Sequence, residues 1–284
     1  MALDWVDQSE EYHQRDGMTD RTGKKSETRE FMGFLVKLAI FMIILRSFIV
    51  SPFNIPSESM QPRLMVGDFL LVAKWPYGFS KYSLPFSVPI IPGRVLANAP
   101  APGDVVVFKA PPSAQEDYIK RVIGLSGDII KVNNGVVSIN GTDVQREPIE
   151  SFVHLVSPNS PCFRDEFKAV NDKQQEICRY PQYRETLPNG ASYNILDIYE
   201  GSEGDTTEAF VVPEGYMFLM GDNRDRSADS RFPAREGEAI GMVPQENLVG
   251  RALVMVFSTD GSIEWIKPWT WFSAARWERI GEGF

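Results

Sequence analysis

One long apolar run near the amino terminus constrains this chain more than any other feature. Residues Phe31 to Val50, FMGFLVKLAIFMIILRSFIV, are of the length that a helix needs to cross a bilayer, about 20 residues. Two basic residues interrupt the run, Lys37 and Arg46, and long basic side chains near the ends of a span can reach the lipid headgroups. We therefore predict a transmembrane anchor over residues 31–50, with a buried core helix as the alternative.

The segment before the run indicates its orientation. Residues 1–30 are polar, are predicted to form a flexible tail, and include Arg15, Lys24 and Arg29 among several acids. Because basic residues collect on the cytoplasmic side of a span, we predict a cytoplasmic tail and an external location for everything after about Ser51. An uncleaved anchor is favoured over a signal peptide, since the tail is long and no pair of small residues follows the run.

The rest of the chain is predicted to be mainly β. Short apolar or alternating runs bounded by glycine and proline predict strands at 68–74, 104–109 and 117–123. Two Asn-Gly pairs within residues 128–144 are strong hairpin signals. Residues 146–209 are polar and irregular in pattern, and we interpret them as an insertion between two halves of a core.

Scarce residue types exclude several functions. Only two histidines occur, His13 before the predicted span and His154 in the insertion, so a Ser-His-Asp triad is an unattractive mechanism. The net charge of −9 argues against a nucleic-acid partner. The two cysteines, Cys162 and Cys178, suit a disulfide in an oxidising compartment, and two free thiols are the alternative.

Four tryptophans crowd the carboxyl end of the chain. Core packing is the favoured interpretation, and contact with the membrane interface is the alternative. The four are Trp265, Trp269, Trp271 and Trp277.

Two segments suggest nucleophilic chemistry. Ser57 and Ser59 lie in PSESM, soon after the predicted span, and a serine needs a neighbouring base to become a good nucleophile. Lys120 lies in the strand-like YIKRV, where alternation places it on one face with Tyr118. Burial depresses the pKa of a lysine, normally about 10.4, and makes it a usable base. The alternatives are a turn or a helix cap for the serines and a solvated edge position for the lysine.

A third segment is rich in polar groups. The residues GDNRDRSADSR, 221–231, follow the apolar run 216–220 and therefore emerge from a buried strand. A serine hydroxyl here, that of Ser227, can hydrogen-bond a neutral amine, and Asp229 with Arg231 can form a charge-assisted pair. A solvated turn is the alternative.

Together these segments resemble bacterial type I signal peptidases, the membrane-anchored serine–lysine endopeptidases of peptidase family S26. The resemblance covers most of the chain after Phe31, and the motifs agree in order and approximate spacing. It implies an antiparallel β core, like that of signal peptidases and SOS-repressor proteases, with a smaller β-rich domain inserted in it. The catalytic core is expected at 51–130 and 210–284, and the inserted cap at 131–209. The motifs are IPSESMQPRLMVGDFLLVAKWPYG, PGDVVVFKAP, DYIKRVIGLSGD, GDNRDRSADSR and NLVGRA.

Roles for the central residues follow from the resemblance by position. It implies that Ser59 is the nucleophile and that Lys120 is the general base. It also implies that the hydroxyl of Ser57 joins the backbone N–H of Ser59 in an oxyanion hole.

The supporting residues and two departures also follow from the resemblance. Ser227 is expected to orient the lysine, and Asp229 with Arg231 to brace the site as an ion pair. Glu58 stands where many family members have glycine, and Arg226 where asparagine is common. An anion beside the nucleophile disfavours an oxyanion, so we expect the Glu58 side chain to point to solvent.

The implied function is removal of signal peptides from secretory pre-proteins that have small residues at the first and third positions before the cut. The resemblance implies no cofactor and no metal, and the lipid bilayer as a partner, with the secretion translocon as a further candidate. It places the enzyme in the bacterial inner (plasma) membrane with its catalytic domain on the outer, periplasmic side. The rival functions are a regulatory or self-cleaving protease with the same dyad and an anchored, non-catalytic β-rich binding protein.

Overall fold

The computed structural model describes residues 10–264 and 266–284, which fall into two compact units divided between Arg46 and Ser47. The first unit contains one long helix, α1 (Glu10–Ile44), which is followed by a π-helical turn at Leu45–Ile49. The stretch Glu27–Ile49 is long and apolar enough to cross a membrane, with a mean hydropathy of 2.1. Only 6% of its most apolar part is buried in the protein, which does not fit the alternative of a core helix.

The predicted flexible tail is wrong for residues 10–30, because α1 begins at Glu10. No proline interrupts α1, so its backbone hydrogen bonding can extend from the apolar segment back through the polar one. The remainder of the predicted tail, residues 1–9, lies outside the described residues.

Strands dominate the second unit, in agreement with the predicted mainly β class. Besides the strands it contains a short helix, α2 (Trp269–Ser273). The strands of the described residues are, in chain order, β1 (Val50–Asn54), β2 (Asp68–Ala73), β3 (Phe79–Ser80), β4 (Arg94–Val95), β5 (Val105–Lys109), β6 (Asp117–Leu125), β7 (Ile129–Asn133), β8 (Val136–Ile139), β9 (Thr142–Asp143), β10 (Gln145–Leu155), β11 (Lys168–Val170), β12 (Glu176–Thr186), β13 (Ser192–Leu196), β14 (Phe210–Val211), β15 (Tyr216–Met220), β16 (Val243–Pro244) and β17 (Leu248–Ser258).

A seven-stranded sheet contains the three segments of chemical interest. Its order is β1-β2-β17-β5-β6-β15-β16, and its neighbouring strands pair antiparallel. The predicted nucleophile segment is the loop between β1 and β2, the predicted lysine is on β6, and the segment 221–231 leaves the end of β15. Because β6 and β15 are neighbours, the sheet holds the lysine strand beside the third segment.

The insertion is polar but not irregular. Two long strands, β10 and β12, pair antiparallel from Gln145↔Thr186 to Leu155↔Ile177, with β11 and β13 also paired to β12. A separate sheet has the order β14-β7-β8-β9. Charged residues lie along β10 and β12, at many exposed positions, and hid the strand pattern. The irregular interpretation of residues 146–209 is therefore wrong for the residues of β10 to β13, whereas the β-rich character of the insertion is confirmed.

The two cysteines form a disulfide, as predicted. Cys162 and Cys178 have Cα atoms 5.4 Å apart, and Cys178 lies on β12, fully buried. Tyr180 and Phe163 belong to the hydrophobic cluster around it. The bond therefore fastens the loop before β11 to the sheet of the insertion.

The carboxyl-terminal tryptophans are not core residues. Trp269, Trp271 and Trp277 are 68%, 42% and 55% exposed, so the favoured interpretation is wrong for these three. Their segment contacts the body through the buried Ala274, and this leaves the indole rings on the surface. Trp265 lies outside the described residues.

Removing the disulfide should destabilise the protein without rearranging its sheets. We expect the double substitution Cys162→Ser and Cys178→Ser to lower the free energy of unfolding by about 3 kcal/mol, because a loop of this size loses its cross-link in the unfolded chain. Urea unfolding of the oxidised wild type and the variant measures the difference. Dithiothreitol should shift the wild type and leave the variant unchanged; equal stability of the two proteins would contradict the prediction.

Candidate active site

Strand β6 holds Lys120 on a buried face of the sheet. Val106 of β5 lies directly opposite Lys120 in the antiparallel register. The Lys120 ammonium group is 5.8 Å from the ring centre of Tyr118, so the two side chains share a face, as alternation predicted. Lys120 is only 4% exposed, and the interpretation as a solvated edge lysine is wrong.

The loop between β1 and β2 brings Ser59 to the lysine. Met60 and Leu64 anchor this loop, because both side chains are fully buried and the Leu64 amide donates to the Met60 carbonyl. The backbone of Asn223, just after β15, donates a hydrogen bond of 3.0 Å to the Ser59 carbonyl oxygen. Ser59 is therefore held from both sides and is 7% exposed.

The lysine and the serine are in direct contact. Lys120 Nζ and Ser59 Oγ form a hydrogen bond of 2.6 Å, and Ser57 Oγ lies 3.3 Å from Ser59 Oγ. Burial lowers the pKa of Lys120 to about 8, although the negative charges of Asp229 and Asp222 oppose this effect. A neutral amine at this distance can accept the proton of the serine hydroxyl.

Asp229 and Arg231 form the predicted ion pair. Arg231 donates from Nε and Nη2 to the two carboxylate oxygens of Asp229, at 2.9 and 3.0 Å. Burial by itself raises the pKa of the Asp229 carboxyl, but the charge and hydrogen bonds of Arg231 outweigh it and hold that pKa below its usual value. Arg231 also donates to the Arg224 carbonyl oxygen, so the pair fixes the backbone of the loop that carries it.

Ser227 lies in the site but does not make the predicted bond to the lysine. Its buried hydroxyl has no hydrogen-bond partner of good geometry among the described residues, although it lies close enough to Asp229 to help lower the pKa of that carboxyl. Ser227 Oγ and the Ser59 carbonyl oxygen both lie within 2.4 Å of the point where a Cβ on Gly221 would stand. Ser227 therefore packs close to the Ser59 backbone. The absence of a side chain at Gly221 leaves room for both groups.

Two buried ion pairs were not predicted. Arg121 donates to both carboxylate oxygens of Asp222 at 2.7 Å, and Arg224 does the same to Glu185 of β12. Tyr193 of β13 joins them, because its hydroxyl donates to Glu185 and its ring lies under Arg121. The available signals were the arginine in the strand-like YIKRV and the charged GDNRD directly after an apolar strand. Nothing in the sequence indicated Glu185 on β12 as a partner.

Glu58 does not point freely to solvent, so that expectation is wrong. Its carboxylate lies 3.5 Å from Nε of Arg226, and its side chain is 22% exposed. The guanidinium of Arg226 also lies 4.1 Å from the ring centre of Phe163. The two positions at which the chain departs from the expected pattern are thus in contact with each other.

One group of acidic residues resembles a cation site in its spacing. Carboxylate oxygens of Asp197, Asp205 and Asp225 lie within 4.8 Å of one another. Arg146 pairs with Asp197 at 2.6 Å, and Asp225 accepts hydrogen bonds from backbone amides, so the protein itself meets part of this charge. None of the three touches Ser59 or Lys120 by a hydrogen bond within the described residues.

Adding a methyl group at Gly221 should disturb the site and destabilise the protein. We expect Gly221→Ala to lower the free energy of unfolding by about 1–3 kcal/mol, since the new Cβ would overlap the Ser59 carbonyl and the Ser227 side chain. Thermal unfolding in detergent measures the loss. Gly283→Ala is the matched control, because its Cβ would meet nothing closer than 3.7 Å. Equal unfolding temperatures for the two variants would contradict the prediction.

Comparisons with known proteins identify the family of this chain. A model of the family described as signal peptidase, peptidase S26, matches residues 28–257. The chain is 34% identical over 266 residues to signal peptidase I of Rickettsia typhi (strain ATCC VR-144 / Wilmington), covering 86% of this chain and 90% of that protein. It is also 34% identical over 277 residues to signal peptidase I of Rickettsia conorii (strain ATCC VR-613 / Malish 7), covering 90% and 93%.

Among solved structures, a signal peptidase I of Enterococcus faecalis V583 matches at 22% identity with a TM-score of 0.29, covering 54% of this chain and 97% of that chain. That score is too low to compare the two folds in detail. The family match spans most of the sequence and includes Ser59, Lys120 and the segment 221–231. This chain is therefore a serine peptidase that belongs to the signal peptidase family, peptidase S26.

Proposed function

We propose that this protein removes signal peptides from secretory pre-proteins, with Ser59 as the nucleophile and Lys120 as the general base. The observation that carries the proposal is the 2.6 Å hydrogen bond between Lys120 Nζ and Ser59 Oγ at a buried position. A carboxylate in contact with the lysine would keep it protonated. The two that act on it are instead bound to arginines, Asp229 to Arg231 and Asp222 to Arg121.

The reaction proceeds in two halves. Neutral Lys120 takes the hydroxyl proton of Ser59, whose oxygen attacks the scissile carbonyl and forms an ester with the new carboxyl end of the signal peptide. The lysine returns the proton to the leaving amine, and it then deprotonates the water that hydrolyses the ester. Ser59 is released with its hydroxyl restored.

The oxyanion of each tetrahedral intermediate needs hydrogen-bond donors. We assign the Ser59 backbone N–H and the Ser57 hydroxyl to this role. Two observations support the assignment: the Ser57 and Ser59 hydroxyl oxygens are 3.3 Å apart, and no described residue accepts a hydrogen bond from the Ser59 N–H. Ser227, Asp229 and Arg231 then act as supporting residues that fix the loop against the nucleophile.

Membrane attachment brings the enzyme close to its substrate. We propose that the apolar helix spans the bacterial inner membrane with its amino terminus in the cytoplasm, and that the catalytic unit works on the outer, periplasmic side. Enzyme and precursor then share one surface, which raises their effective concentration. The bilayer is a partner in this scheme, and the secretion translocon is a further candidate. Within the unit, residues 51–130 and 210–284 form the proposed catalytic core, and 131–209 the cap.

Substitution of either member of the dyad should abolish cleavage. We expect Ser59→Ala and Lys120→Ala each to reduce hydrolysis of a detergent-solubilised pre-protein by at least about a thousandfold, because neither residue catalyses without the other. The assay follows appearance of the mature protein on a gel. Ser138→Ala and Lys131→Ala are matched controls, since these residues pair across β7 and β8 and should leave the rate unchanged. Near-normal activity of the Lys120 variant would exclude the dyad.

The pH dependence of activity should show that the pKa of the catalytic lysine is lower than that of free lysine. Because only neutral Lys120 can accept the serine proton, kcat/KM should rise about tenfold per pH unit below the lysine pKa and level off above it. The pKa of about 8 places the bend near pH 8, where free lysine is still protonated. Circular dichroism over the same range checks that the fold is unchanged. A profile that rises only near pH 10 would contradict a buried base.

A further inference from the structure

An acidic residue directly precedes the nucleophile in this chain. Glu58 and Ser59 are sequence neighbours, and the turn they belong to is closed by a hydrogen bond from the Gln61 amide to the Glu58 carbonyl. A carboxylate on the residue next to a reacting serine opposes negative charge on the tetrahedral intermediate and favours a protonated base. Its charge must therefore be met by another group if the serine is to react.

Arg226 is placed to meet that charge. Its Nε lies 3.5 Å from the Glu58 carboxylate. The Arg226 amide donates to the Asn223 carbonyl, and the Asn223 amide donates to the Ser59 carbonyl. One short turn thus holds both the nucleophile's backbone and the cation that faces Glu58.

An aromatic ring of the insertion holds the Arg226 side chain in place. The Arg226 guanidinium lies 4.1 Å from the ring centre of Phe163. Phe163 directly follows the disulfide-bonded Cys162. The Phe163 amide in turn donates to the hydroxyl of Tyr180. A guanidinium that already lies over a ring loses less freedom when it binds a carboxylate.

Other titratable groups also face Glu58, and they do not supply the missing charge. His154 of β10 and Tyr180 of β12 both interact electrostatically with it. Burial lowers the pKa of His154 and raises that of Tyr180, so both are neutral near pH 7 and above. Arg226 is the neighbouring cation in contact with the Glu58 carboxylate within the described part of the chain.

We propose that Arg226 is a positioning residue for the proposed peptidase reaction. Arg226 cancels the charge of Glu58 and holds the Glu58 carboxylate away from Ser59. The inference rests on the proposed function and adds to it a charge pair that acts through the nucleophile's neighbour. Lys120 itself is surrounded by Asp229, Asp222 and Arg231, and none of these belongs to the Glu58 pair.

The test removes the charge of Arg226 and then asks whether removing the charge of Glu58 as well restores activity. We expect Arg226→Gln to lower kcat/KM at pH 7 about tenfold, mainly in kcat, and to raise the apparent pKa of the activity profile by about one unit, since one unit changes the neutral fraction of the base tenfold. The defect should shrink above pH 9, where the base is neutral in both proteins. Arg226→Lys should recover part of the activity. Glu58→Gln added to Arg226→Gln should restore the rate and the bend of the profile.

Two controls separate charge from packing and from general surface effects. Arg226→Met retains an apolar chain on Phe163 without the cation, and should resemble Arg226→Gln. Arg235→Gln breaks an ion pair of the same 3.5 Å length, with Glu238, whose side chains are both about 70% exposed, and should behave as wild type. Thermal unfolding of each variant records any loss of stability.

The outcomes distinguish this inference from the function on which it rests. If wild type cleaves a pre-protein and Ser59→Ala does not, the proposed function stands and the Arg226 variants test the charge pair alone. Wild-type activity and pH profile in Arg226→Gln would overturn the inference, as would a double variant that is no better than the single one. A wild-type chain that cleaves nothing would overturn both.

Discussion

In the proposed mechanism, the hydrogen bond between Lys120 and Ser59 serves catalysis only while the lysine is neutral. The neutrality of the lysine depends in turn on the charges around it. Burial removes the water that stabilises an ammonium ion, but one unpaired carboxylate nearby would reverse the effect. The structure meets this requirement by pairing four acids in and around the site with one arginine each. These pairs are Asp229–Arg231, Asp222–Arg121, Glu185–Arg224 and Glu58–Arg226.

Such pairs are not primarily a source of stability. Removing two charges from water costs free energy that their attraction only partly returns, so a buried ion pair is weak evidence for a more stable fold. Their value here is positional. The carboxylates of Asp222 and Asp229 each accept bidentate hydrogen bonds from a guanidinium group, that of Arg121 and that of Arg231 respectively. The lysine is thereby left with the serine hydroxyl as its hydrogen-bond partner within the described residues.

Patterns in the sequence predicted those features that depend on residues close together in the chain. Strand alternation placed Lys120 and Tyr118 on one face, and motif order pointed to Ser59 and to the Asp229–Arg231 pair. Patterns failed where distant contacts decide. The strands of the insertion carry polar residues that only their long antiparallel pairing explains, and the Ser227 hydroxyl lies against Gly221 instead of bonding the lysine. The contact between Glu58 and Arg226 depends on two loops far apart in the sequence, so neither residue indicated it alone.

The strand order of the main sheet has a consequence for how the enzyme comes into being. Ser59 follows β1, and Lys120 lies on β6, 61 residues further along the chain. In the sheet, β17 and β5 lie between β2 and β6. The strand β17 is the last in chain order of the described strands, and it completes the sheet that sets the Ser59 loop beside Lys120. A chain in which β17 is unpaired lacks the continuous sheet between β2 and β6 that sets Ser59 beside Lys120. Under the proposed mechanism, the peptidase can act only after β17 has paired with β2 and β5.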